Sequence, residues 1–344
     1  MHKLQFFKMI APGTDNRTLH PPTVTSGGET RPGFWLPVAL AALMLLTASM
    51  LRTGENRVDV AFIPGVPGTA EALKDNDSVF WLGVDMQIKE GWHIYWRNPG
   101  DSGLPTSIRW DPHPSLKPGE IQWPRPARFD ENGITTYGYS GRVTLLVPVS
   151  VTRDELLPDS GTSGSHGEAQ PNGLHVDGDG TETNLSADLN WLVCKDICLP
   201  ESARITLDVT ASGHFTGFSE NGVRQIKHSL DMVPEQSAEW QGYAVLDDGH
   251  FHITLTPASD HAAIPDLQHV YFYPDRQGLI EHTAPQKAVR DGNKLTIAVP
   301  VSRYLRTVPE ELSGVLSAGE SWIHGKDAPA IEMVLPVSTL SERE

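Results

Sequence analysis

The sequence predicts an all-β protein with two antiparallel β-sandwich domains behind an N-terminal signal or anchor helix. Short runs that alternate apolar and polar residues recur along most of the chain, which is the pattern of half-buried strands. The 344 residues include 31 glycines and 27 prolines, a turn-rich composition typical of β-sandwiches. A chain of this length accommodates two domains of ordinary size.

The N-terminal residues predict export from the cytoplasm. Residues 1–33 hold turn residues without periodicity and a basic balance, so we expect a disordered basic leader. Residues 34–51 are apolar and uncharged, which suits a signal-peptide h-region or a single membrane anchor. The preceding positive charge directs the rest of the chain outward. We therefore expect a periplasmic body, soluble after cleavage or anchored to the inner membrane through 34–51 alone.

Net charge and cysteine usage narrow the function classes. The formal net charge is −16, which argues against nucleic acid as a partner because phosphate binding needs clustered Lys and Arg. The chain contains only two cysteines, Cys194 and Cys198. A single close pair suits an exported protein, in which a stray thiol would be a liability.

The first predicted domain spans residues 58–212. Alternating patterns predict strands at 79–88, 91–96, 106–110, 121–123, 142–151, 185–193 and 203–209. Residues 154–188 carry many acidic side chains and no Lys or Arg, and they predict a flexible acidic loop inside this domain. The two cysteines fall between the last two strands, at or beside the tip of a hairpin.

The second half predicts a linker and another sandwich. Residues 213–237 form the linker, with a short helix indicated by Val223, Ile226 and Leu230 and by Ser219 as its N-cap. Residues 238–340 form the second β-sandwich domain, which has no cysteine and no catalytic constellation. Its strands are predicted at 243–246, 250–255, 269–273, 294–299, 314–316 and 330–335.

Spacing alone leaves three interpretations of the cysteine pair open. A structural disulfide is one, although closing so short a loop stabilises a fold by only about 2 kcal/mol. A Cu(I) site with two thiolate ligands is the second, whereas zinc would need further ligands that are not nearby. A redox couple is the third, because short and exposed disulfides exchange readily. Beyond this Cu(I) alternative, no metal or cofactor site is predicted.

Several stretches resemble a known family. The segment 191–201, which contains both cysteines, resembles the active-site segment of the N-terminal periplasmic region of DsbD-type thiol–disulfide interchange proteins, and most closely the suppressor-of-copper-sensitivity B (ScsB) branch. The resemblance extends over roughly 58–338. Its other matching stretches are 91–103, 123–126, 137–139, 271–275 and 278–280.

This resemblance implies an immunoglobulin-like first domain and a protein-disulfide reductase activity. We expect the second sandwich to be immunoglobulin-like as well. Cys194 and Cys198 would relay electrons from a membrane-embedded donor to thioredoxin-like periplasmic partners, with a link to copper tolerance. By family analogy, Cys198 is the attacking thiol. Family members continue into membrane-spanning and thioredoxin-like domains that this sequence lacks before Glu344, so a separate polypeptide is expected as the donor.

The resemblance also implies a cap over the disulfide. The matching segment is 128–133, in which Phe129 would shield the cysteines. Asp130 and Glu131 would raise the thiol pKa values by repelling a thiolate. Tyr137 and Tyr139, from the family-like stretch nearby, are assigned to the same modulating group. The ordinary alternatives are a core aromatic for Phe129 and a solvated turn for the two carboxylates.

A second function class stays open at this point. The chain could be a non-catalytic periplasmic binding or adaptor protein, in which Cys194 and Cys198 form a structural disulfide or bind Cu(I). The reduction potential of the pair separates the two classes, because structural bridges lie far below the glutathione range.

Overall fold

The computed structural model describes residues 56–65, 78–113, 116–151, 183–209, 219–259, 269–324 and 328–339. The predictions for the leader, for the apolar run 34–51 and for residues 154–182 of the acidic segment lie outside these ranges. Within them nearly all of the regular secondary structure is β-strand, which confirms the all-β prediction. Its one described helix falls short of the length and hydropathy needed to cross a bilayer.

The first sandwich consists of two antiparallel sheets. One sheet has the strand order β1-β2-β8-β5, and the other has the order β10-β9-β3-β7-β6, with β4 paired beside β9. The strands are β1 Val58–Ile63, β2 Ser78–Ile88, β3 His93–Gly100, β4 Ser107–Trp110, β5 Leu116–Pro118, β6 Ala127–Glu131, β7 Ile134–Ser140, β8 Arg142–Val151, β9 Thr183–Cys194 and β10 Cys198–Val209.

Alternation along the strands builds the core between these two sheets. Leu82, Val84 and Met86 of β2 face inward from the first sheet, and Ile94 and Trp96 of β3 face inward from the second. Residues two apart on a strand lie on one face, so these side chains share the space between the two sheets. The opposite face of β3 carries polar side chains that are also buried.

Two boundaries predicted from the sequence are wrong. The expected strand at 121–123 is reduced to a single bridge between Gln122 and Leu146, and the next backbone hydrogen bond of this segment runs from Arg125 to Met232 instead. The acidic segment does not extend to 188, since β9 already begins at Thr183. Residues 183–188 pair with β10 over their whole length, which makes them strand rather than loop.

The second sandwich follows a short helix. The elements are α1 Glu220–Asp231, β11 Glu235–Gln236, β12 Trp240–Asp247, β13 His250–Pro257, β14 Tyr271–Pro274, β15 Lys287–Asp291, β16 Lys294–Pro300, β17 Glu311–Ser317 and β18 Ala330–Thr339. The strand order is β14-β17-β18-β12-β13-β16-β15, and β11 pairs with β18. Strand β18 joins the two layers, because its first part pairs antiparallel with β17 and its end pairs parallel with β12.

Helix α1 begins as its sequence predicts. The Ser219 side chain accepts a hydrogen bond from the Gly222 backbone N–H at 3.0 Å, which satisfies one of the free donors at the helix start. Ile226 is fully buried, and Gln225 donates to the buried Asp85 of β2 at 2.5 Å. The linker helix is therefore packed on the first sandwich.

The two sandwiches form one compact unit, Asn56–Glu344. Tyr273, Val315 and Ala330 of the second sandwich join the apolar core of the first. Hydrogen bonds also cross the boundary: Asn98 Nδ2 donates to the Pro274 carbonyl at 2.7 Å. We therefore treat the second sandwich as part of the structural frame of the cysteine hairpin.

Candidate redox site

The cysteine pair closes the hairpin between β9 and β10. Cys194 is the last residue of β9 and Cys198 the first of β10, and they are direct cross-strand partners. The Lys195 N–H donates to the Ile197 carbonyl at 3.1 Å, which tightens the turn between them. The two cysteines form a disulfide with a Cα–Cα distance of 4.1 Å. The predicted location at a hairpin tip is confirmed.

The two halves of the disulfide differ in their access to solvent. Cys194 is 2% exposed, whereas Cys198 lies on the exposed side of the turn. An incoming thiolate must reach one sulfur from outside, and exchange rates depend on that access. The geometry therefore makes Cys198 the accessible sulfur and Cys194 the protected one.

Tyr95 is the polar neighbour of the protected sulfur. Its hydroxyl donates a hydrogen bond to Cys194 Sγ at 2.8 Å and lies 3.5 Å from Cys198 Sγ. Burial, and secondarily the charge of Glu131, raises the pKa of Tyr95. The hydroxyl thus stays protonated near neutral pH, and it can donate to a thiolate formed on Cys194 when the pair is reduced.

A glycine on the following loop makes room for the Tyr95 ring. Gly103 has a φ of +111°, a left-handed conformation that side chains rarely adopt. A Cβ at this position would lie 2.2 Å from Cε1 of Tyr95, which is far inside van der Waals contact. The backbone of Gly103 therefore lies directly against the ring.

The predicted cap segment is a β-hairpin rather than a loop. Strands β6 and β7 are joined at Asn132-Gly133, whose φ values of 51° and 77° suit a tight hairpin turn. Phe129 lies in β6 and stacks on His93, with ring centroids 4.8 Å apart. His93 is the cross-strand partner of Cys194 and contacts the Tyr95 ring edge-on at 5.3 Å.

The two carboxylates of the cap segment project to opposite faces. Glu131 shares the face of Phe129, and its charge raises the pKa values of Tyr95 and His93, although burial lowers that of His93 overall. Asp130 faces the other way, where it accepts hydrogen bonds from Arg128 Nε at 2.9 Å and Thr135 Oγ1 at 2.5 Å. Only Glu131 is placed to act electrostatically on the disulfide side.

Tyr137 and Tyr139 lie on the buried face of β7, opposite the disulfide. The Tyr139 hydroxyl donates to the Pro124 carbonyl at 2.6 Å. The Tyr137 hydroxyl contacts Tyr271 and His282 of the second sandwich. Burial raises both tyrosine pKa values well above their ordinary range. The structure does not bring these two residues to the cysteines.

His93 and Tyr95 received no individual role from the sequence, although they lie inside a family-like stretch. The available signal was their spacing of two on a strand, which places both on one face. The spacing does not predict that β3 pairs with β9, and this pairing brings that face to Cys194.

An apolar cleft adjoins the disulfide on the same face of the sheet. Leu192 and Pro200 are cross-strand partners two residues beyond the cysteines, and they line a cleft of about 260 Å³ together with Leu104 and Pro105. Leu104 is 65% exposed, and Ile197 at the hairpin tip is 62% exposed. Exposed apolar side chains thus lie at the tip of the cysteine hairpin and in the cleft beside its strands.

The fold and the site define a class: a β-sandwich domain with a disulfide at a hairpin tip. Residues 66–210 match the family described as "Thiol:disulfide interchange protein DsbD, N-terminal", and the matched stretch contains both cysteines. The resemblance to DsbD-type N-terminal regions is thereby confirmed for these residues.

A similar solved structure is the N-terminal periplasmic domain of ScsB from Proteus mirabilis. It is 18% identical, with a TM-score of 0.49, and the similarity covers 81% of this chain and 99% of that one. None of the curated proteins matches this chain.

Proposed function

We propose that this chain is a periplasmic thiol–disulfide exchange module with protein-disulfide reductase activity. It relays electrons through Cys194 and Cys198 from a membrane-embedded donor to thioredoxin-like partners. The observation that carries the proposal is the asymmetry of the disulfide: Cys198 is exposed, and Cys194 is buried against the hydroxyl of Tyr95. The periplasmic setting is supported by the apolar run 34–51 and by the single close pair of cysteines.

The reaction is a two-step exchange. The Cys198 thiolate attacks one sulfur of the partner's disulfide, so a mixed disulfide forms and the other partner sulfur leaves as a thiolate. The Cys194 thiolate then attacks Cys198 Sγ, which re-forms the internal disulfide and releases the second partner thiolate. Two electrons pass to the partner, and the donor restores the dithiol.

The surroundings support binding of a partner at this face. Ile197 at the hairpin tip and Leu104 in the cleft beside the hairpin strands are exposed apolar side chains. Apolar groups that stay exposed in the free protein are typical of contact surfaces. We assign Phe129, which stacks on the cross-strand partner of Cys194, as the shield of the Cys194 side, while Cys198 stays exposed. Glu131 is the acidic group that disfavours thiolate formation.

Trapping of the mixed disulfide tests the proposal. Reduced Cys194→Ser and Cys198→Ser variants of the full chain are mixed with oxidised thioredoxin as the probe and analysed on non-reducing gels. We expect Cys194→Ser to accumulate the mixed disulfide, because it attacks but cannot resolve. Accumulation in Cys198→Ser alone would reverse the assignment of the attacking thiol, and accumulation in neither would contradict the exchange function.

The binding or adaptor alternative predicts a different result. In that case the reduced wild-type chain binds Cu(I) through its two thiolates and transfers no electrons to the probe. Cu(I) titration of the reduced chain, with Cys194→Ser as the control that lacks one ligand, distinguishes this function from exchange.

A further inference from the structure

The β6–β7 hairpin has one face toward the disulfide site and the other toward the second sandwich. Phe129 lies on the first face, stacked on His93. Arg128, its neighbour in β6, and Tyr137, the cross-strand partner of Arg128 in β7, lie on the second face. Side chains of adjacent residues on one strand move together, so a displacement of β6 changes both faces at once.

Strand β6 has little support within its own sheet. In the described part of the sheet, β6 is an edge strand and pairs only with β7. The pairing of β7 with β3 is itself interrupted by an irregularity between Tyr95 and Gly100. The hairpin therefore depends on contacts outside the ladder to hold its position.

Tyr271 of the second sandwich supplies one such contact. The Arg128 guanidinium lies over the Tyr271 ring at 5.1 Å from the centroid. A cation over an aromatic face is attracted by the negative potential of the ring. This contact ties β6 to β14 directly behind Phe129.

A closed set of hydrogen bonds supplies the second contact. The Tyr137 hydroxyl lies 2.9 Å from the Tyr271 hydroxyl and 2.8 Å from His282 Nδ1, and the Tyr271 hydroxyl donates to the His282 carbonyl at 3.4 Å. Each hydroxyl has one proton to donate, and that of Tyr271 goes to the His282 carbonyl. Tyr137 must therefore donate to Tyr271, and His282 Nδ1–H donates to Tyr137. We assign the Nδ1–H tautomer on this basis.

The remaining nitrogen of His282 agrees with that assignment. Nε2 is buried and has no hydrogen-bond partner among the described residues, and the side chain is only 3% exposed. An unprotonated nitrogen tolerates this position better than a buried N–H without an acceptor. The three hydrogen bonds among Tyr137, Tyr271 and His282 thus connect β7 to the second sandwich.

We propose that Tyr271 and His282 are positioning residues for the cap: they hold the β6–β7 hairpin so that Phe129 stays on His93 and restricts access to the Cys194 side of the disulfide. This gives the second sandwich a role in the reactivity of the first. The inference rests on the proposed function, because it concerns access to the same disulfide. It is measured with a small reductant, so the two can fail separately.

The test compares rates of disulfide reduction by dithiothreitol in the oxidised full chain. Phe129→Ala defines the rate without the shield. We expect Tyr271→Ala to accelerate reduction about tenfold, the effect of losing a cation–π contact and a hydrogen bond together. Phe129→Ala is expected to accelerate it by a similar factor, because it removes the shield itself. The double variant is expected to match the single ones, because both changes remove the same restriction. Tyr304→Ala, at an exposed tyrosine of the same sandwich, should keep the wild-type rate.

Two results would overturn the inference. One is a wild-type rate in Tyr271→Ala, and the other is a double variant whose effect is the product of the single ones. If Tyr271→Ala does not fold, Tyr271→Phe and His282→Ala decide: each is expected to accelerate reduction by a smaller factor, and wild-type rates in both overturn it. If Tyr271→Ala accelerates reduction while the wild-type chain never exchanges with oxidised thioredoxin, only the proposed function fails.

Discussion

The hydroxyl of Tyr95 donates a hydrogen bond to Sγ of Cys194 at 2.8 Å, and it joins two residues that are 99 positions apart in the sequence. When the pair is reduced, this donor faces the sulfur that must resolve the mixed disulfide. A hydrogen bond to the charged form of a group stabilises that form and lowers its pKa. Tyr95 is therefore expected to keep Cys194 ready to act as a thiolate.

Tyr95→Phe tests this role directly. The substitution keeps the ring and removes the donor, so we expect the Cys194 pKa to rise by about one unit. The pKa is measured from the ultraviolet absorbance of the thiolate in a Cys198→Ser background. Tyr304→Phe serves as the control for loss of a tyrosine hydroxyl elsewhere. An unchanged Cys194 pKa in Tyr95→Phe would show that the hydroxyl does not act on the thiolate.

Gly103→Ala should displace the Tyr95 ring. Gly103 and Gly141 both have left-handed backbone conformations, but only a Cβ at Gly103 would collide with another residue. We expect Gly141→Ala to lose about 1 kcal/mol of unfolding free energy from backbone strain, and Gly103→Ala to lose about 1–3 kcal/mol more. Chemical denaturation measures both. Equal losses would mean that the ring moves aside without resistance.

The unfolding free energy should depend on pH through three histidines, of which two are buried and one is half-buried. Burial lowers the pKa values of His93, His113 and His282 from 6.5. Below pH 6.5 the unfolded chain therefore binds protons that the folded chain does not. The contribution of the neutral histidines to the unfolding free energy is fully present above pH 6.5 and is lost as pH falls toward the folded pKa values.

His282→Gln should reduce this pH dependence. The groups that act on His282 are Asp101 and Glu281, which favour its protonation, and Arg128, which opposes it, while burial dominates. Denaturation of the full chain between about pH 7.5 and pH 5 gives the slope. His228→Gln, at an exposed helix position, controls for the substitution itself. If the unfolding free energy of His282→Gln changed with pH as steeply as that of the wild type, His282 would not contribute to the pH dependence.

Asn98→Asp should destabilise the contact between the two sandwiches. Asn98 Oδ1 accepts from the Gly100 N–H at 3.0 Å while Nδ2 donates to the Pro274 carbonyl. Aspartate keeps the acceptor but sets a buried charge against that carbonyl, so we expect a loss of about 3 kcal/mol. Thermal denaturation checks this, with Asn293→Asp in an exposed turn as the control. A loss no larger than in the control would contradict it.

The accuracy of the sequence interpretation differs between inner and edge strands. Strands such as β2 and β16 alternate clearly because one face is buried, and Ser219 marks the helix start by its capping side chain. Strand β6 was interpreted as a loop because Arg128–Glu131 contains one apolar residue, and an edge strand needs no more. Strand β15 was missed for the same reason, since most of its side chains are exposed.

The sequence by itself determined the all-β class, the turn at Asn132-Gly133 and the place of Cys194 and Cys198 at a hairpin tip. These features depend on residues close in the chain, whose spacing fixes which side chains share a face. Only the tertiary structure decided that Tyr95 meets Cys194 and that Tyr137 meets the second sandwich. Such contacts depend on which strands pair and in which register, and that choice is made by packing of the whole core rather than by any local pattern.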